Sequence, residues 1–113
     1  MNIQIFGTKK SSDARKAERW FKERRIKFQY INLQEKEISK GELRSVAQAA
    51  GGLRALVDEK AKDEYAVALL AHTPDSLLLD KLLENQQVLR QPIVRNGRLA
   101  TVGYAPEVWK TWG

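Results

Sequence analysis

The chain has 113 residues, enough for one core without disulfides or metals. It contains no cysteine and a single histidine, His72, which excludes thiol redox chemistry, disulfides, zinc-thiolate sites and histidine-cluster metal centres. Twenty basic residues stand against fourteen acidic ones, a net charge of +6, and the excess is local.

Residues 1–27 carry nine bases (Lys9, Lys10, Arg15, Lys16, Arg19, Lys22, Arg24, Arg25, Lys27) against Asp13, Glu18 and Glu23, whereas the remainder balances at eleven of each. Such a concentration attracts phosphate or another oxyanion, nucleic acid or an acidic protein surface; otherwise it is a solvated helix face. A charge of +6 is modest for a nucleic-acid-binding domain, which disfavours nucleic acid as the partner. The most apolar stretch, Tyr65 to Ala71, is too short to span a bilayer. No segment reads as a signal peptide, so a cytoplasmic location and no membrane contact are expected.

Residues 2–6 suit a central strand, with Ile3 and Ile5 on one face. Ser12 or Asp13 is placed to N-cap the next helix, whose apolar stripe is Ala14, Ala17, Trp20 and Phe21, with Arg24-Arg25 in its last turn. Alternation from Lys27 to Asn32 predicts a second strand, and the three elements form a right-handed βαβ unit with parallel strands. Ser39-Lys40-Gly41-Glu42 is a capping box opening a helix that Gly51-Gly52 ends.

A helix is predicted from about Lys60 to Ala71. Thr73 as N-cap and Pro74 as first helical residue start another, with Leu77, Leu78 and Leu82 on its apolar face. Asn96-Gly97 between short apolar runs predicts a two-residue hairpin. Pro106 opens a last helix ending near Trp112, with Trp109 and Trp112 packing it onto the sheet. Trp20, Phe21, Phe28, Tyr30 and Tyr65 fall at core spacings.

Three stretches carry a resemblance. The strand Asn2 to Phe6 runs into a loop, Gly7 to Asp13, and then Arg15-Lys16-Ala17. Leu89-Arg90-Gln91-Pro92-Ile93-Val94 and Val102-Gly103-Tyr104 with Pro106-Glu107-Val108-Trp109 follow at the right spacing. Together they resemble the arsenate reductase-like (ArsC/Spx/YffB) family of thioredoxin-fold proteins. The resemblance implies an α/β chain with a thioredoxin-like sheet: β-α-β, then a β-hairpin and a C-terminal helix. A single domain, 1–113, would contain a helical insertion at about residues 39–88. It also implies a cis peptide bond at Pro92, bordering the active-site loop together with Gln91.

On that pattern Ser11 holds the nucleophilic cysteine position and Ala14 the resolving one. An unassisted hydroxyl is a poor nucleophile at neutral pH and needs a base within reach. A Ser11–His72 pair is disfavoured, His72 reading better as a boundary residue. Arsenate-reducing members hold the oxyanion with arginines, and here those positions carry Gln91, Asp58 and a residue near Tyr104. Arg90, one residue early, would point to the other face.

What remains of an anion site is Lys10, Ser12 and Arg15 at the helix N-terminus, with Arg54 matching a further basic position of the family. A small oxyanion would bind there weakly, with Asp58 opposing it. The leading expectation is therefore a redox-inactive binding or regulatory module. Its partner would be an acidic protein surface or, by analogy with the Spx branch, RNA polymerase. One alternative is a thiol oxidoreductase whose active-site cysteine has been exchanged for Ser11, glutathione entering only if that cysteine is restored. Another is a nucleic-acid-binding module using the basic first helix. No cofactor or metal is expected.

Overall fold

Ile3 and Ile5 of strand β1 (Ile3–Gly7) face one side of the sheet and Phe6 the other, as the two-residue period of a strand requires. The computed structural model describes residues 1–112. Helix α1 (Ser12–Glu23) connects β1 to β2 (Phe28–Asn32), which pairs parallel to β1 with Ile5 opposite Tyr30. Strand β3 (Ile93–Asn96) lies antiparallel on the other side of β1, and β4 (Leu99–Val102) closes the edge, giving the order β2-β1-β3-β4. This is the expected thioredoxin-like sheet.

Between β2 and β3 run α2 (Lys40–Ala50), a 3-10 turn (Leu53–Leu56), α3 (Glu64–Ala71), α4 (Asp75–Glu84) and a second 3-10 turn (Gln86–Val88). They cover one face of the sheet, where Phe6 and Ile93 meet Leu43, Val46, Leu56, Leu70, Leu78 and Leu82. On the opposite face α1 and α5 (Pro106–Trp109) pack Ala17, Trp20, Phe21 and Trp109 against Ile3, Ile5 and Val94. Trp112 joins this second layer, as expected. Both apolar layers form because α1 and α2 each present one buried stripe to the sheet.

Helix α2 begins with the expected capping box: Ser39 Oγ accepts from the Glu42 N–H, and Glu42 Oε1 accepts from the Ser39 N–H. Gly51 ends it in the left-handed conformation at φ 91°.

Several local expectations are corrected. The cap of α1 is Ser11, not Ser12 or Asp13, its Oγ accepting from the Ala14 N–H at 3.1 Å. Helix α3 starts at Glu64 rather than near Lys60. Asp58 folds its own segment into a turn, accepting from the Lys60 N–H, and Asp63 then caps the helix through the Ala66 N–H. Thr73 does not cap α4: its hydroxyl donates to the Leu69 carbonyl, and Pro74 takes the cap position.

Tyr65 is 81% exposed and Leu77 52% exposed, so neither belongs to the core. The tight loop of the hairpin is Gly97-Arg98, one residue later than expected, since Asn96 pairs with Leu99. Only Gly97 there needs positive φ (61°). The last helix is a single turn ending at Trp109.

Candidate functional site

The β1–α1 loop forms one wall of a cleft of about 730 Å³. Its position follows from a close approach at the end of β1. A Cβ on Gly7 would sit 2.7 Å from the Ala14 Cβ and 3.2 Å from the Tyr30 hydroxyl, so only glycine lets the first turn of α1 come this near. Thr8, Lys10, Ser11, Ser12 and Asp13 line this wall.

The opposite walls come from distant segments that backbone and side-chain bonds tie together. Val57 and Leu89 form an isolated antiparallel bridge, flanked by bonds from the Asp58 N–H to the Val88 carbonyl and from the Arg90 N–H to the Leu56 carbonyl. This pairing carries Asp58 to the cleft rim. The Gln86 amide bonds both the N–H and the carbonyl of Ile38, each at 3.0 Å, fixing the loop that holds Glu37. Gln87 donates to Asp63 at 2.9 Å.

Gln91 joins the two sides. Its Oε1 accepts from the Thr8 N–H at 2.7 Å and from the Thr8 hydroxyl at 3.2 Å. The Gln91–Pro92 peptide bond is cis, as expected, and Pro92 is buried behind it.

The side chains around the cleft include five carboxylates, Asp13, Glu37, Asp58, Asp63 and Glu84, against the three ammonium groups of Lys10, Lys60 and Lys62. Asp63 is held below its ordinary carboxylate pKa, first by the Ala66 N–H and then by Gln87. Behind the loop, burial raises the Tyr30 phenol pKa, Glu18 adds to the rise and Arg15 opposes it.

The residues expected to hold an anion are separated. Lys10 and Ser12 line the cleft. The Arg15 guanidinium folds back to donate to the Lys9 carbonyl. Arg54 is elsewhere: its fork engages Asp75 Oδ1 at 2.8 and 3.2 Å and the carbonyls of Leu70 and Thr73, stapling the end of α3 to the start of α4. Arg90 lies outside the cleft, beside Gly103. His72 is the C-cap of α3, exposed, and no hydrogen bond links it to Ser11 among the described residues.

Ser11 thus caps α1 on one wall of the cleft, and Gln91 ties that wall to the segment entering β3. The ArsC family model matches residues 6–112. The chain belongs to the ArsC family. Among solved structures of that kind, it is similar to a protein from Bacteroides fragilis described as ArsC family related. The identity there is 19%, with a TM-score of 0.86, covering 100% of this chain and 98% of the other. It is also similar to an arsenate reductase from Vibrio cholerae, at 26% identity and a TM-score of 0.80, covering 96% and 94%. No curated protein matches the chain.

As an ArsC family protein this one carries no cysteine anywhere, and its only sulfur is Met1. No group of three or more potential metal ligands occurs among the described residues. Sequence reasoning missed Glu37, Asp63 and Glu84 as cleft residues, since they come from three segments with no shared motif. The capping pattern at Asp63 and the glutamines at 86–87 were the only local signals.

Proposed function

We propose that this chain is a redox-silent ArsC family protein that acts by binding rather than by reduction. The observation that carries the reading is the state of Ser11. Ser11, which the resemblance puts at the position of the family's nucleophile, is a hydroxyl whose oxygen accepts the Ala14 N–H and caps α1, with no hydrogen-bonded base beside it among the described residues. Without a base such a hydroxyl does not attack at neutral pH. The excess of carboxylates around the cleft further disfavours arsenate, which is itself anionic.

The natural ligand class for the reading is a protein partner, in keeping with a regulatory role. A coupled NADPH assay with glutathione, glutaredoxin or thioredoxin tests it, with arsenate or a disulfide as the oxidant. Turnover at buffer background is expected; turnover above it, free of contaminating reductase, overturns the reading.

One observation favours a second reading, a thiol oxidoreductase with its cysteine exchanged for serine. Ser11 still sits at a helix N-terminus on the wall of a cleft that Gln91 also lines. The Ser11→Cys variant separates the two. If it gains glutathione-dependent turnover, the scaffold is a reductase lacking only its sulfur.

A further inference from the structure

All nine bases of residues 1–27 are exposed, and none lies in an ion pair among the described residues. Two are engaged otherwise. Arg15 bonds the Lys9 carbonyl, and Arg24 lies over the Trp20 ring at 4.1 Å while donating to the Trp20 carbonyl. Arg19 and Lys22 project from the outward side of α1, opposite its buried Ala14, Ala17 and Phe21, and Lys16 stands one turn before Trp20.

Through Trp20 this charged helix packs on α5 and the segment before it, where two apolar side chains reach the surface. Trp20 meets Trp109 edge-on at 5.4 Å, and Trp109 meets Tyr104 at 5.4 Å and 87°. Tyr104 and Val108 are each 42% exposed. Arg24, Trp20, Trp109 and Tyr104 thus form a chain of contacts, edge-to-face between the rings, that runs through two buried tryptophans from the basic helix to an exposed aromatic.

We propose that the outward face of α1, with Tyr104 and Val108 beside it, docks an acidic segment of a partner protein that carries apolar anchors. Two features select a protein over nucleic acid. Exposed Glu23 interrupts the row of cations and would repel a continuous phosphate backbone, whereas separated carboxylates can avoid it. An aromatic next to arginines is the composition of a protein–protein hot spot, with charge setting orientation and the apolar side chains supplying the desolvated centre. The surface lies across the sheet from the helices that cover the other layer, and its use does not depend on Ser11.

The test is an amide chemical-shift titration of the full chain. One probe is a synthetic helical peptide with glutamates at i, i+4 and i+7 and leucines on the adjoining face; the other is a mixed-sequence DNA duplex. The peptide should shift residues 16–25 and 104–109 and leave the cleft residues unmoved. Arg19→Glu with Lys22→Glu should weaken it at least about tenfold, and replacing its leucines by alanine should do likewise. Circular dichroism checks that the variant, altered only at exposed positions, remains folded. The proposal is overturned by tighter binding of the duplex, by shifts confined to the cleft, by no shifts at all, or by a charge-reversed protein that binds unchanged.

Discussion

The side-chain oxygen of Gln91 accepts both hydrogen bonds that Thr8 can send towards it, from the backbone N–H at 2.7 Å and from the hydroxyl at 3.2 Å. A glutamine thus performs a structural task at the mouth of the cleft. It closes the loop after β1 onto the segment leading into β3. Gln91→Ala leaves the N–H of the buried Thr8 without an acceptor. A loss of about 1–3 kcal/mol is expected, read as a lower urea midpoint at unchanged slope.

Ser11 stabilises the helix it starts. Ser11→Ala should cost about 1 kcal/mol, whereas Ser11→Asp should retain most of the cap. Ser11→Cys should place a thiol among unpaired helix N-terminal amides, with a pKa below the free value of about 8.5. Iodoacetamide labelling against pH measures it, and a value at or above that figure would show that the loop no longer favours thiolate.

Gly7 and Ala14 share one space. With a Cβ at Gly7 only 2.7 Å from that of Ala14, Gly7→Ala should cost about 1–3 kcal/mol. Ala14→Gly carries its own helix penalty of about 1 kcal/mol, but it removes the clash. The double variant should therefore be more stable than the sum of the singles, a coupling that a denaturation cycle resolves.

Asp63 supplies a pH dependence with a definite sign. Its folded pKa lies below the ordinary 3.8, so it contributes stability that is present above that value. This contribution is lost as pH falls through the lower folded value. Asp63→Asn keeps a good cap but removes the ionisation, so its stability curve should be flatter below about pH 4. Urea midpoints taken between neutral and acid pH compare the two proteins.

Arg54 separates a structural cation from a ligand-binding one. Arg54→Ala removes bonds to the Leu70 and Thr73 carbonyls as well as the exposed pair with Asp75, which adds little alone. About 1–2 kcal/mol should be lost, and lysine should restore only part, having no fork. Phosphate titrations of wild type and Arg54→Ala should agree at residues 8–13. A selective loss of phosphate shifts in the variant would return Arg54 to the cleft.

Much of the architecture was readable because local chemistry and global packing agree. The Ile3/Ile5 alternation, the stripe on α1, the Ser39–Glu42 box and Gly51 each name their own structure within a few residues. The failures arise where neighbours compete or where a partner is remote. Three successive polar residues at 11–13 can all cap, and the close approach at Gly7 selects the first. Thr73 had two acceptable roles, and the Leu69 carbonyl took its hydroxyl. Arg54 was read from its place in a family pattern, yet Asp75, 21 residues on, captures it. The charge of the cleft was hidden for the same reason, being assembled from loops that only the tertiary fold brings together.

All three tryptophans lie on one side of the sheet. Trp20 and Trp109 are central to the α1–α5 layer and Trp112 leans on it, while the layer under α2, α3 and α4 has none. Intrinsic fluorescence therefore watches half of the molecule. If the helices between β2 and β3 loosen first, the emission spectrum stays native while far-ultraviolet ellipticity falls. A mismatch between those two melting curves would locate the weaker half without any label.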